Sequence, residues 1–302
     1  VVTATNFVVE SNKFYIVNLG ENTEVTINYA EDKGNPIKNI KNTTIIFRKN
    51  CNVKVTENIF DKLENCTISN LTIKATDIVN TATLAKEIIN SNLVNINIDN
   101  IYATRTSSEN NGLLVDKAEN SIISNVKVNY GRMEVVNNTS ARVNSGAIVG
   151  YIKNSLISES ENSATVTASF NCEADAGKTY YTAGIVGQMT SSYLFKCTNN
   201  GLVYAKNMAE NSANMGTSGL TNSIGDSNYV SFCQNNSSVK GVNDSAKQEN
   251  CSNAVTGITL NATTLYSINN GNIINVSIIS DSRNNVATSI CRGTIYYCYY
   301  NA

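Results

Sequence analysis

TAGIVGQMTSSYLFKCTNNGLVYAKN, residues 182–207, shares its shape with the stretches on either side of it. Upstream lies SGAIVGYIKNSLISESENSATVTAS (145–169) and downstream TSGLTNSIGDSNYVSFCQNNSSVKG (217–241). Leu194, Cys197 and Val203 mark the central copy; Ile157, Ser160 and Val166 keep the same steps before it, and Val230, Cys233 and Val239 keep them after it. Leu265, Ile268 and Ile274 make the next set, and Ile295 and Cys298 begin another in GTIYYCYYNA. The theme runs backwards more loosely, through Ile123 and Val126, Leu93 and Ile96, and Ile68 and Leu71. A theme returning every ~25 to 38 residues is the mark of a solenoid.

Within each copy, apolar and polar residues alternate over a few positions and then break at Gly, Asn or Ser. Period-two alternation is the signature of half-buried strand. No copy holds a helical-period apolar series, and the regular Leu offsets of leucine-rich repeats are missing. The sequence therefore predicts an all-β chain, a right-handed parallel β-helix of nine or ten irregular coils, the hand following from the general preference of crossover connections. Residues 1–302 read as one solenoid domain, with 1–57 an irregular start or cap and 58–302 the repeat coils. Inward-facing ladder positions are assigned to Ile157, Leu194, Val230, Leu265 and Ile295, with Cys197, Cys233, Ile268 and Cys298. Asn199–Asn200–Gly201 and Asn269–Asn270–Gly271 read as sharp corners, because Gly and Asn tolerate left-handed backbone.

Composition agrees. The 302 residues include one Pro, no Trp and no His, and roughly one residue in six is Asn, far above ordinary usage. Proline cannot donate to a β ladder, so its scarcity suits a chain in which every coil lies between neighbours. Lys and Arg number 23 against 24 Asp and Glu. This balance leaves no basic stripe for nucleic acid, and no apolar run is long enough to insert into a membrane as a helix. The chain begins VVTATNF, as a mature secreted chain or an excised fragment would.

AGIVG (183–187), the run CTNNGLV (197–203) and the terminal GTIYYCYYNA (293–302) resemble the GLUG repeat, which reads G-L-V-G, then G-T-I, then C-Y. The resemblance is strongest over 146–206. It implies a large, repetitive, mostly non-catalytic cell-surface protein and an extracellular location, and it names no ligand.

The search for chemistry points the same way. Without His, the Ser-His and Cys-His nucleophilic arrangements are absent, as are mixed Cys/His zinc sets. No C-x-x-C and no phosphate-binding glycine loop occurs. The carboxylates that could serve a glycosidase on this fold are Glu159 with Glu161, Glu173 with Asp175, and Asp281 beside Arg283; they read as solvated surface acids. No enzymatic activity, cofactor or metal is expected. Of the eight cysteines, Cys197, Cys233 and Cys298 share one repeat position, where a ladder of free thiols and a stacked disulfide are both sterically open. The pairing of Cys51, Cys66, Cys172, Cys251 and Cys291 stays open.

Tyr296, Tyr297, Tyr299 and Tyr300 form the most aromatic stretch. They are either a ligand surface, since exposed Tyr clusters favour binding, or a cover for the end of the solenoid. Three functions remain: an adhesin or stalk module binding a host or matrix ligand, which is favoured; a subunit assembling end to end into an extracellular filament; and a polysaccharide lyase or hydrolase on a β-helix. The expected partners are accordingly a glycan or protein on a surface, or another copy of the chain.

Overall fold

The computed structural model describes residues 1–106, 109–137, 142–171, 178–208, 213–225, 227–243, 252–277, 285–288, 291–292 and 294–300. Among these residues there are strands and turns but no helix. The strands form a parallel β-solenoid. A nine-stranded sheet runs from Asn39–Lys41 to Cys291–Arg292, a fifteen-stranded sheet covers a second face, and two six-stranded sheets close the coil. Nearly all pairing is parallel; the exception is the two-residue hairpin Glu31–Asp32 with Asn35–Pro36, where the one proline sits on an exposed edge.

Each six-stranded sheet contributes one strand per coil, so six coils run through every face; Cys291–Arg292 begins another, giving about seven turns. This corrects the nine or ten coils expected from the repeats. The copies at Ile68 and earlier do stack in register on Leu93, but they precede the first strands of the two six-stranded sheets. They are short coils with no strand in either of those sheets, although Val79 bridges Ala103 at the start of one of them.

The inward ladder is continuous from Ile45 through Ile68, Leu93, Ile123, Ile157, Leu194 and Val230, all nearly inaccessible. The next coil departs from the expected reading: Val230 pairs with Thr264, not Leu265. Thr264 and Ser267 point inward, and Leu265 and Ile268 lie half-buried on the outer side. A slip of one residue moves a strand's whole side-chain set to the other face. Ile295 does take the inward register, opposite Thr264, and is 45% exposed because no described strand stacks beyond it.

Two corners explain why the inward set includes Ser and Cys. At the first, Asn65, Asn90, Asn120, Asn154, Ser191 and Ser227 all have left-handed backbone, with φ between 47° and 67°. The residue after each turns inward, and its N–H points to the next coil at a place where the strand ladder is interrupted. A side chain fills the gap. The N–H groups of Ser91, Ser121 and Ser155 donate to the hydroxyls of Ser121, Ser155 and Ser192 at 3.0–3.1 Å. Those hydroxyls donate back to the carbonyl two residues earlier at 2.7 Å. A second corner repeats the device. Val126 N–H donates to Ser160 Oγ, Cys197 N–H to Cys233 Sγ at 3.3 Å, and Cys233 N–H to Ser267 Oγ at 3.1 Å.

Cysteine thus stands in for serine, and Cys51, Cys66, Cys197, Cys233 and Cys298 are free thiols. The side chains of Cys172, Cys251 and Cys291 lie outside the described residues. Burial, and then the adjacent Cys197 thiol, hold the Cys233 thiol well above its ordinary pKa.

The Asn–Asn–Gly segments have a different part from the one their residue types suggested. None of their residues has left-handed backbone. Asn162, Asn199, Asn235 and Asn269 are buried and linked amide to amide at 2.7–2.8 Å, each Nδ2 donating to the Oδ1 of the following coil. Asn200, Asn236 and Asn270 form an exposed chain that donates in the opposite direction. Gly201 is required by close approach: a Cβ there would meet the Ala164 carbonyl oxygen at 1.9 Å.

These contacts set two expectations. Asn199→Ala, which strips the Asn235 Oδ1 of its donor inside the core, lowers the unfolding free energy by about 2–4 kcal/mol, and Asn200→Ala on the exposed chain by less than about 1 kcal/mol; urea titrations of the two variants read the difference. Cys233→Ser is tolerated, since Ser160 and Ser267 already fill the column, and Cys233→Val is not. Wild-type Cys197 and Cys233 stay silent to a thiol reagent until unfolding. With its folded pKa raised, the Cys233 thiol contributes stability that is full below the ordinary value of 9.0 and is lost as pH rises above it.

Candidate functional site: an exposed aromatic strip

The second corner places one left-handed residue per coil on the outer surface of the fifteen-stranded sheet. In chain order these are Asn70, Asn95, Asn125, Glu159, Lys196, Phe232, Tyr266 and Tyr297, with φ between 47° and 64°. The first three are asparagines, the non-glycine residue best suited to this backbone. Their amides form a chain at 2.8 and 2.6 Å. Next comes an ion pair, Lys196 Nζ to Glu159 Oε1 at 3.8 Å, with both side chains exposed. The last three are aromatic.

Aromatic residues at such positions are strained, at ~1–3 kcal/mol each, and stacking returns part of it, ~0.5–1.5 kcal/mol per pair. Phe232 stacks on Tyr266 with centroids 5.0 Å apart and planes 14° apart, and Tyr266 stacks on Tyr297 at 5.1 Å and 5°. Phe195 meets Phe232 edge-on at 5.8 Å, and Lys196 Nζ sits 5.1 Å from the centre of the Phe195 ring. On the adjoining strands Tyr193 and Tyr229 stack at 4.9 Å. The stack does not bury the rings: Phe232, Tyr266 and Tyr297 are 48–69% exposed.

Of the tyrosines singled out in the sequence, Tyr297 belongs to the stack. Tyr296 and Tyr299 are exposed on the strands either side of the Tyr297 corner, opposite Leu265 and Ile268. Tyr300 pairs through its backbone with Asn269, and its side chain lies outside the described residues. Phe195, Phe232 and Tyr266 were not anticipated, although a signal exists: Phe232, Tyr266 and Tyr297 each stand immediately before the Cys or Ser of the corner column.

The acids are not gathered. Glu159 sits at the corner and Glu161 in the strand beyond, where it accepts a hydrogen bond from Asn200 Nδ2 at 2.6 Å. Both face outward with buried Ser160 between them, as their parity suggested, but each is engaged separately, Glu159 with Lys196 and Glu161 with Asn200. Glu173, Asp175, Asp281 and Arg283 lie outside the described residues. A deeply buried ion pair, Arg105 with Asp116 at 2.6 Å, joins one face of the coil to another, and Asp116 also accepts a hydrogen bond from Gly112 N–H. No group of three or more metal-ligating side chains occurs among the described residues, and no helix among them is long and apolar enough to cross a membrane.

No family model and no curated protein matches this sequence. Among solved structures, an IgA1 protease is similar over 92% of this chain at a TM-score of 0.43 and 13% identity. The chain spans 20% of that protein's length.

If the strip serves binding rather than folding, the double variant Phe232→Asn/Tyr266→Asn should be about as stable as wild type, within about 1 kcal/mol, because Asn relieves the backbone strain that lost stacking offsets. Thermal unfolding measures this; a loss of several kcal/mol would make the rings structural.

Proposed function

We propose that this chain is a non-catalytic binding module of an extracellular surface protein, an adhesin or stalk segment whose aromatic strip engages a glycan or protein of a host or matrix. The observation that supports it is the row of strained, solvent-facing rings. A fold that fills the same corner with Asn in one half and with Phe and Tyr in the other gains little stability from the change. Residues held in unfavourable backbone conformations gather at sites of function, and large exposed aromatic patches mark interaction surfaces. Stacked tyrosines offer a rigid apolar edge with hydroxyls along it, suited to sugars and to protein surfaces alike. The resemblance of residues 146–206 to GLUG repeats of cell-surface proteins supports the location.

The test is an array of glycans and matrix proteins probed with the wild-type chain and with Tyr266→Ala/Tyr296→Ala/Tyr297→Ala/Tyr299→Ala. Selective binding that drops at least tenfold in the variant is the expected outcome. Binding that the variant retains in full, or no binding to any member of the array, would remove the strip as a recognition site.

A further inference from the structure

Far along the same corner column from the aromatic rings, the fifteen-stranded sheet carries an irregularity. The strand Thr44–Val55 pairs in register with Thr67–Ala75 up to Ile46, opposite Ser69, and resumes at Cys51, opposite Leu71. Phe47 to Asn50 therefore face the single residue Asn70. Phe47 is fully buried and anchors the bulge, and its carbonyl accepts a hydrogen bond from Asn70 Nδ2 at 2.7 Å. The residues after it are pushed outward over the asparagine corner. Bulges re-aim side chains in this way and recur beside binding sites.

The bulge closes one side of a cavity of about 380 Å³, within the range of small-ligand sites, ~300–1,000 Å³. Its wall is not the apolar one usual for such sites. Arg48, Lys49 and Lys127 bring three cations, and the remainder is amide, including Asn50, Asn95 and Asn97. No carboxylate lines it. Glu161, which neighbours Lys127 across the strand pair, is engaged with Asn200. None of the three cations belongs to an ion pair among the described residues, whereas Lys38, Lys41, Lys54, Lys62, Lys86 and Lys117 all do. In a chain of net charge −1 this is a local concentration of positive charge. Asn50 is held in the wall by its Nδ2, which donates to Thr72 Oγ1 at 2.8 Å.

Cations without counter-charges call for an anion, and a wall of neutral amides, each with donors and acceptor lone pairs, suits hydroxyls. We propose that this cavity binds an acidic saccharide, a sugar bearing sulfate or carboxylate, with Arg48, Lys49 and Lys127 on the anionic group and the asparagines on the hydroxyls. The site is separate from the aromatic strip, and its test does not depend on the strip having a ligand.

Titration calorimetry of the full chain at low salt would use three saccharide probes, a sulfated oligosaccharide of the heparin type, a uronate oligosaccharide without sulfate and a neutral oligosaccharide of equal length, with a single-stranded oligonucleotide as a polyanion control. Binding of one or both acidic probes, at least tenfold tighter than the neutral one, is expected; which acidic probe is tighter identifies the anionic group. Arg48→Ala/Lys127→Ala should weaken that binding at least tenfold, and Lys33→Ala/Lys153→Ala, the same charge change at exposed positions elsewhere, should leave it within twofold. Asn50→Asp, which sets a like charge in the wall, should weaken it as well. Equal losses in both double variants would reduce the effect to net charge and overturn the site. So would preference for the neutral probe, absence of binding to all three, or tighter binding of a single-stranded oligonucleotide than of either acidic saccharide.

Discussion

The backbone N–H and C=O groups along the strands of this solenoid find their partners in the coil above or below. Along straight strands the parallel ladder supplies it. Where the chain turns through a left-handed residue the ladder lapses, and the next N–H would be buried unpaired, at ~1–3 kcal/mol. The structure answers with one side chain that accepts from the previous coil and donates to its own carbonyl two residues back. Ser, Cys and Asn meet that requirement; a hydrocarbon does not. The columns at Ser91–Ser121–Ser155–Ser192 and Ser160–Cys197–Cys233–Ser267 follow from this geometry. The buried asparagine chain from Asn162 to Asn269 extends the same logic to the wall where the coil turns into the next sheet.

Because the interior columns secure the fold, the outward residue of each corner is free to change. The column that starts at Asn70 runs through amides, an ion pair and then stacked rings without disturbing the register beneath it. Chemistry on such a surface comes in stripes: one kind of side chain repeats at each coil and builds a line of like groups. The rings of Phe232, Tyr266 and Tyr297 and the amides of Asn70, Asn95 and Asn125 are two stripes in one column. The first leaves exposed aromatic edges, and the second lines a polar cavity once a bulge bends over it.

The parallel solenoid was legible in the sequence because apolar residues at fixed steps can be buried together in only one way, and the ladder from Ile68 to Val230 reads correctly from those steps alone. The reading slipped at Leu265 and Ile268 because it tracked hydrophobicity, whereas the inward places there belong to Thr264 and Ser267. Corner hydrogen bonding, which a hydropathy pattern does not carry, decided the register. The early coils were overcounted because a strand signal at Ile68 does not reveal how many other faces its coil possesses. The tyrosines near residue 296 stood out by density, but their neighbours in space, Phe232 and Tyr266, lie one and two coils away and become adjacent only when the coils stack.

The hydrogen bonds between coils run roughly parallel to the solenoid axis, with strands about 4.8 Å apart along it. A force applied along that axis would load one inter-coil layer in tension, all faces sharing it at once, and the amide and hydroxyl columns would share it too. A force that peels the chain sideways would meet these bonds one after another. Resistance to pulling is therefore directional. Since each coil touches only its neighbours, failure would proceed one coil at a time and lengthen the molecule in steps, as a sacrificial tether does.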